Sequence, residues 1–274
     1  MRSTLLTLGL LALLLPHSAH SQQEKPAEAP GEVVLVDKGD QSGTNPINFT
    51  FDARIYNEHL WLNVPGDAYQ NVTTFEFRAP IADGKWQMRA KLRAVDLDID
   101  RAGISEFGFG DMDVRFLTVP ILIPEKKFAI AVGSEFFLPT GSDDLLSSNA
   151  FTIGPQIFFG FFGVFNWIDL IAPGYQHRFS VYEESGVSDV HAGIIDLFIL
   201  KTFNDKQQWV MLNPQAVLDY ENQTQFIQLD TEFGTMLDNY IEPNGHSVYL
   251  RPTIGVLGDR PNKYGIEVGY KIIW

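Results

Sequence analysis

The sequence predicts an all-β fold, a closed antiparallel β-barrel of about twelve strands that meanders up and down across a membrane. Three observations favour it. Strand-like runs follow one another from residue 47 to the end, separated by turn signals. Within most runs apolar residues alternate with polar ones, which places the two kinds on opposite faces of a strand. The last run, residues 264–274, carries aromatic residues at both ends of its apolar face, as membrane–water interfaces favour.

The first segment is typical of a secretory signal peptide. Arg2 precedes an apolar stretch from Leu5 to Leu15, and Ala19 and Ser21 are the small residues expected before a cleavage site. The stretch is shorter than the ~20 residues of a transmembrane helix, which disfavours the alternative of an N-terminal anchor. Residues 1–21 are therefore predicted to be a signal peptide, residues 22–45 a flexible periplasmic lead-in rich in Pro, Glu and Ala, and residues 46–274 the barrel.

Composition narrows the remaining possibilities. The chain has 274 residues, no Cys and a net charge of −14. An exported chain without Cys has no disulfide scaffold. An acidic chain is a poor partner for nucleic acid, which basic surfaces bind. No run after the signal approaches ~18 consecutive apolar residues, so any crossing of the bilayer is expected from strands.

Twelve strand cores are predicted, an even number that fits a bacterial barrel with both termini in the periplasm. They cover residues 48–62, 72–81, 85–97, 107–119, 127–138, 150–162, 166–180, 190–203, 208–220, 224–236, 246–257 and 264–274. Short periplasmic turns are expected at residues 82–84 and 204–206. Longer outer loops are expected at residues 98–106, 140–149, 183–189 and 258–263. The connection 237–245 is longer than a periplasmic turn should be.

Alternation assigns the two faces. In the third run an apolar face of Trp86, Met88, Ala90, Leu92 and Ala94 opposes Lys85, Gln87, Arg89, Lys91 and Arg93. In the first run Phe49, Phe51, Ala53 and Ile55 are assigned to the apolar face. A soluble sandwich could bury such faces instead, but twelve runs without an intervening helix favour the barrel. The run 166–180 does not distinguish its two faces.

The charged faces then line the lumen. The lumen-lining candidates are Asp52, Arg54, Glu76, Arg78, Arg89, Lys91, Arg93, Asp111, Asp113, Arg115, Glu135, Asp230, Glu232, Arg251, Glu267 and Lys271. Because unpaired charges away from water cost several kcal/mol, such a lumen is either hydrated or ion-paired throughout. Two hypotheses follow. A transverse field between basic and acidic side chains suits a channel for passive passage of small molecules. The alternative is a non-conducting scaffold or adhesion barrel with a filled lumen.

A membrane-embedded hydrolase is a third hypothesis, but the expectation is that the protein has no catalytic activity, no cofactor and no metal. His177 and Ser180 could suggest a hydrolase, but residues three apart in a strand face opposite sides. Residues 96–100 (Asp-Leu-Asp-Ile-Asp) lack the Gly and terminal Glu of a calcium loop and are interpreted as a solvated strand end.

Short motifs in a fixed order resemble a family of bacterial outer-membrane proteins labelled meta-pathway phenol degradation proteins, also called transporters. They are Phe-Gly-Phe-Gly-Asp at 107–111, Phe-Leu-Pro-Thr-Gly at 137–141, Phe-Thr-Ile-Gly-Pro at 151–155, Asn-Pro at 213–214 and the aromatic-ended last strand. The resemblance implies a barrel of about twelve strands and passage of small, including aromatic, compounds. It supplies no catalytic residues.

The expected location is the bacterial outer membrane. The expected partners are outer-membrane lipid, a small-molecule solute and, through the C-terminal strand, the barrel-assembly machinery.

Overall fold

The computed structural model describes residues 45–238, 240–241 and 245–274. The predicted signal peptide and all but the last residue of the predicted lead-in lie outside these residues. Thirteen strands form one antiparallel sheet. They are β1 (Asp52–Leu62), β2 (Ala68–Ile81), β3 (Trp86–Ile99), β4 (Ile104–Phe109), β5 (Met112–Ile123), β6 (Phe128–Leu138), β7 (Ala150–Phe165), β8 (Ile168–Glu183), β9 (His191–Phe203), β10 (Gln208–Asp219), β11 (Thr224–Met236), β12 (His246–Gly258) and β13 (Asn262–Ile273). None of the described helices is long and apolar enough to cross a bilayer.

The sheet closes on itself. Strands that follow one another along the chain pair with each other, except β4 and β5, and β1 pairs with β13, with Arg54 opposite Lys271. Both β4 and β5 pair with β3, so they are two halves of one position in the ring. The ring therefore has twelve positions, which confirms the predicted closed antiparallel barrel. Closure pairs the first strand with the last, as a structure that spans a bilayer requires, and among the described strands only β4 keeps an edge that no strand covers.

Two adjacent rows of β1, β2 and β3 show how alternation sorts the side chains. Ile55, Phe75 and Leu92 lie side by side on the outer face and are 53%, 48% and 46% exposed. The next row, Arg54, Glu76 and Lys91, lies side by side on the inner face. Arg54 and Glu76 are only 4% and 3% exposed. The apolar wall faces outward and the charged wall inward, as the sequence predicts for a membrane barrel.

The predicted start of the first strand is wrong. β1 begins at Asp52 rather than at residue 48, and Phe49 is 5% exposed in an apolar core inside the barrel instead of lying on the outer face. The backbone before β1 turns, because the amide of Ile47 bonds to Oδ1 of Asn45 at 2.9 Å. Only Phe51 of the two phenylalanines lies outside, with its ring 4.8 Å from that of Trp274.

The predicted loop 98–106 is also wrong. β3 continues to Ile99, a single 3-10 turn covers Asp100–Ala102, and β4 starts at Ile104. Gly103 supplies the left-handed backbone (φ 66°) that so tight a reversal needs. The fourth predicted run is correspondingly longer than expected and is interrupted at residues 110–111, between β4 and β5.

Asp111, at this interruption, holds the long connection 139–149 against the barrel. Its carboxylate accepts hydrogen bonds from the amides of Thr140 and Gly141 at 3.0 Å each. It also accepts from the Ser147 hydroxyl at 2.8 Å and the Ser148 amide at 2.7 Å. The motifs at 107–111 and 137–141 thus meet in space. We call the end of the barrel that carries this connection the loop end, and the opposite end the turn end.

Replacing Asp111 should release the connection 139–149. Since a hydrogen bond to a charged group contributes about 1.5–3 kcal/mol, Asp111→Ala should lower the free energy of unfolding by about 2 kcal/mol or more. Urea titration of the refolded barrel measures this change. Asp144→Ala, at an exposed position of the same connection, is the matched control. Equal stability of the two variants would contradict the assignment.

Candidate functional site

The lumen is lined by ion pairs that link neighbouring strands. On β1 and β2, Nε of Arg54 lies 2.7 Å from Asp52 and 3.5 Å from Glu76. Nε of Arg78 lies 2.5 Å from Glu76. The side chains of all four are at most 9% exposed. Such buried charges are tolerable only because each contacts an opposite charge.

A second network joins β3, β5, β6 and β8. Nη2 of Arg89 lies 3.3 Å from Asp113 and also contacts Glu135. Arg93 contacts the second carboxylate oxygen of Asp113. Gln176 donates to Glu135 at 3.1 Å. These contacts run along the inner surface of the barrel from β3 to β8 and hold the side chains that border the lumen in place.

A third network is centred on Glu232 of β11, which is fully buried. Its Oε1 accepts from Trp209 Nε1 at 2.7 Å and from Lys271 Nζ at 3.0 Å. Arg251 contacts its Oε2 and lies 3.2 Å from Glu267. The ammonium of Lys271, also fully buried, lies over the rings of Tyr249 and Trp209 at 4.5 and 5.0 Å from their centroids.

The turn end of the lumen is filled by apolar side chains. Ile47 and Phe49 pack there in a buried cluster with inward-facing residues of β5 to β12. The other buried members are Leu117, Ala129, Ala131, Phe158, Leu170, Ala172, Leu200, Trp209, Met211, Met236 and Tyr249. We call residues 45–50 the inner segment. Its backbone is tied to the wall where Gln87 donates to the Thr50 carbonyl at 3.2 Å.

Two cavities lie in the lumen between the described strands. The central cavity, about 330 Å³, lies among the ion pairs and is bordered by Pro46 of the inner segment. The rim cavity, about 440 Å³, lies toward the loop end and has Leu60, Val72, Val95 and Leu146 on its wall. The two share a common border formed by Tyr56, Lys91, Arg93, Phe137, Arg251 and Glu267. Solute-sized space therefore extends from the loop end to the middle of the barrel.

The structure places most of the predicted lumen residues around these cavities. The central cavity is lined by Arg54, Glu76, Arg78, Arg89, Lys91, Arg93, Asp113, Arg115, Glu135, Asp230, Arg251 and Glu267. Asp111 borders the rim cavity but is occupied with the connection 139–149. Asp52, Glu232 and Lys271 border neither cavity and are enclosed in the ion-pair networks.

Sequence reasoning left several lining residues out of the candidate set. Gln156, Gln176 and Asn213 line the central cavity, and Arg178 the rim cavity. Arg178 stacks over the ring of Phe137 at 3.8 Å and donates to Thr152 at 2.9 Å. Its strand, β8, has an apolar inner face at the turn end and a polar one at the loop end. Analysing the alternation of polar and apolar residues separately in the two halves of β8 could have identified Arg178 as a lumen residue.

His177 and Ser180 lie on opposite faces of β8 and do not contact each other. Tyr175 and His177 are hydrogen-bonded at 3.0 Å on one face of β8. The Ser180 hydroxyl, on the other face, accepts a hydrogen bond from the backbone amide of Val190 at 2.8 Å. The described part of the chain contains no group of three or more His, Cys, Asp or Glu placed to hold a metal ion.

Comparison with solved structures identifies the same fold elsewhere. An outer-membrane channel from Pseudomonas putida F1 matches 87% of this chain and all of its own, with a TM-score of 0.65 and 11% identity. The NanC porin matches 82% of this chain and 98% of its own, with a TM-score of 0.53 and 12% identity. This chain has the fold of outer-membrane channel barrels. At such identities the likeness extends to the fold alone.

The chain matches no protein-family model and no curated protein. The resemblance to the meta-pathway phenol degradation family therefore stays a prediction.

The network around Glu232 gives a prediction about stability. Glu232→Gln removes a carboxylate that contacts Arg251 and Lys271 and should lower the free energy of unfolding by about 3 kcal/mol. Glu232→Gln with Lys271→Met should recover much of that loss, because an uncharged side chain can pack against Trp209 and Tyr249. Urea titration tests both, with exposed Glu221→Gln as control. A double variant less stable than the single one would contradict this account.

Proposed function

We propose that the protein is a channel for the passive passage of small polar molecules across the bacterial outer membrane. The observation that carries the proposal is the pair of adjoining cavities inside a closed barrel, bordered by charges of both signs. Arg89, Lys91, Arg93 and Arg115 lie on β3 and β5, whereas Asp196, Asp230 and Glu267 lie on β9, β11 and β13. Asp113 and Glu135 lie among these cations and Arg251 lies between the carboxylates, so neighbouring as well as facing charges produce the local fields that orient dipolar solutes.

In the conformation described, the inner segment closes the turn end. Ile47 and Phe49 fill the lumen between the central cavity and that end, so passage requires the inner segment to move. The segment belongs to no strand, and its displacement leaves the ring of backbone hydrogen bonds intact. It is therefore proposed as the gate.

An apolar or aromatic cargo is the finer form of the proposal that the family resemblance suggests. The rim cavity offers an apolar wall formed by Val72, Val95 and Leu146, against which an apolar ring could pack. The central cavity is lined mainly by charged and amide side chains. A solute with both a polar group and an apolar body suits the two cavities better than a hydrocarbon does.

The alternative function, a non-conducting scaffold or adhesion barrel, is supported by a specific observation. The apolar cluster fills the turn end of the lumen, and the ion pairs narrow its middle to the central cavity. If the inner segment never leaves, nothing crosses, and the outer connections become the functional surface.

Insertion into the outer membrane is proposed to use the C-terminal strand, β13, as the signal for the barrel-assembly machinery. Trp274 lies 64% exposed at the turn end, next to Phe51. Outer-membrane lipid is the proposed partner of the apolar outer wall, and no nucleic acid, cofactor or catalysis is proposed.

Conductance in planar bilayers distinguishes channel from scaffold. The wild-type barrel should give discrete current steps, and Ile47→Ser with Phe49→Ser should raise the mean conductance by about threefold or more, because the apolar closure is weakened. Leu145→Ser, in an exposed connection at the other end, should behave as the wild type. If the wild type and the double variant both insert folded and pass no current, the scaffold function stands and the channel does not.

A further inference from the structure

Polar atoms that have no partner among the described residues face the central cavity, and they are of two kinds. Arg115 makes no ion pair or hydrogen bond with the side chains of the described residues, although it is only 8% exposed and lies opposite Glu135, whose carboxylate contacts Arg89 and Gln176. Nε2 of Gln156 also lacks a partner. These are donors. The acceptors Asn213 Oδ1, Asp230 Oδ1 and Glu267 Oε1 lack partners as well. All five residues line the same cavity.

Donors and acceptors lie on opposite walls. In a ring of twelve positions, β5 and β11 are six positions apart, as are β7 and β13. Arg115 on β5 therefore lies across the lumen from Asp230 on β11. Gln156 on β7 lies across from Glu267 on β13. The free hydrogen-bonding capacity of the cavity thus has a cationic, donating side and an anionic, accepting side.

The neighbouring charges contact one another: Arg251 lies 3.2 Å from Glu267, and Arg89 is paired through Nη2, although its Nε is a further buried donor without a partner. Arg89 contacts Asp113 and Glu135, and Arg93 contacts Asp113. Asp196, which lies on the accepting side, accepts hydrogen bonds from the amide groups of Gln215 at 2.8 Å and Asn213 at 3.4 Å. A buried polar group left unmatched costs about 1–3 kcal/mol, so a solute that matches both sides is favoured over one that matches a single side.

We infer that the central cavity is a binding site for a small zwitterion, an amino acid or a molecule of the same chemistry. Its carboxylate lies toward Arg115 and Gln156, and its ammonium toward Asp230 and Glu267. A simple anion leaves the carboxylates unmatched and is repelled by them. A simple cation leaves Arg115 unmatched and is repelled by it. The volume of about 330 Å³ is at the small end of ligand sites. As the identity of the transported solute this assignment rests on the channel proposed above, whereas binding itself does not require conduction.

Calorimetric titration of the folded wild-type barrel in detergent tests the inference. The zwitterions are glycine, 4-aminobutyrate and 6-aminohexanoate, which differ in the distance between their charges. Butyrate and butylamine are the matched ions that carry one charge each. At least one zwitterion should bind about tenfold more tightly than both single ions, a difference of about 1.4 kcal/mol. Equal binding of a single ion and the best zwitterion, or no measurable binding of any zwitterion at ~10 mM, would overturn the site.

Two variants assign the sides. Arg115→Gln and Asp230→Asn should each reduce the preference for the best zwitterion by at least about fivefold. Lys85→Gln and Asp83→Asn, exposed in the turn between β2 and β3, should leave it unchanged. Folded Arg115→Gln and Asp230→Asn proteins with the wild-type preference would overturn the assignment. If a variant does not fold, the wild-type series decides.

Planar bilayers separate this inference from the channel function. If the protein conducts but does not bind zwitterions, and they neither block nor alter the current, the proposed site is rejected and the channel function is kept. Binding of a zwitterion by a barrel that passes no current keeps the site but removes the channel.

Discussion

The whole structure depends on one constraint, the cost of placing a charged side chain against hydrocarbon. That cost is about 2–4 kcal/mol for Arg or Lys at the middle of a barrel wall. Successive residues of a strand point to opposite faces of the sheet. If the row of Ile55, Phe75 and Leu92 points to lipid, the adjacent charged row must point into the lumen. That row consists of Arg54, Glu76 and Lys91. Closure of the ring then encloses every inward charge in a narrow space, where partners or water must stabilise it.

The enclosed charges are arranged at different levels of the lumen. Near the turn end, Lys271 and Glu232 are fully buried and meet the apolar cluster through Trp209 and Tyr249. In the middle, the networks of β3, β5 and β6 leave a cavity with donors on one wall and acceptors on the other. Toward the loop end, the apolar wall around Val95 returns. A solute entering from the loop end therefore meets an apolar surface first and a polarised one next.

Period-two alternation was enough to predict the ring and its twelve positions, because most strands repeat the same signal. It failed where the signal is not local. Phe49 continues the alternation of β1, yet the turn at Asn45 places it inside, and only the filled core shows that space was available. The loop expected at 98–106 proved to be a tight hairpin, because the acidic residues of β3 extend the strand beyond its apolar rows. Arg115 looked like any other lumen charge, since the sequence does not show which cations have partners.

Closure of the turn end depends on glycine residues in the barrel wall as well as on the inner segment. Gly160, on the inner face of β7, leaves room for Ile47, since a Cβ there would collide with its side chain. Gly234 and Gly269 likewise admit the rings of Trp209 and Tyr249. Burial of a large apolar side chain contributes about 1.5–3 kcal/mol, so withdrawing Ile47 and Phe49 costs about 3–6 kcal/mol. A cost of that size keeps the inner segment in place most of the time but leaves an open state within thermal reach. The opening proposed for the channel needs no change in the strands, because the segment that closes the lumen lies outside them.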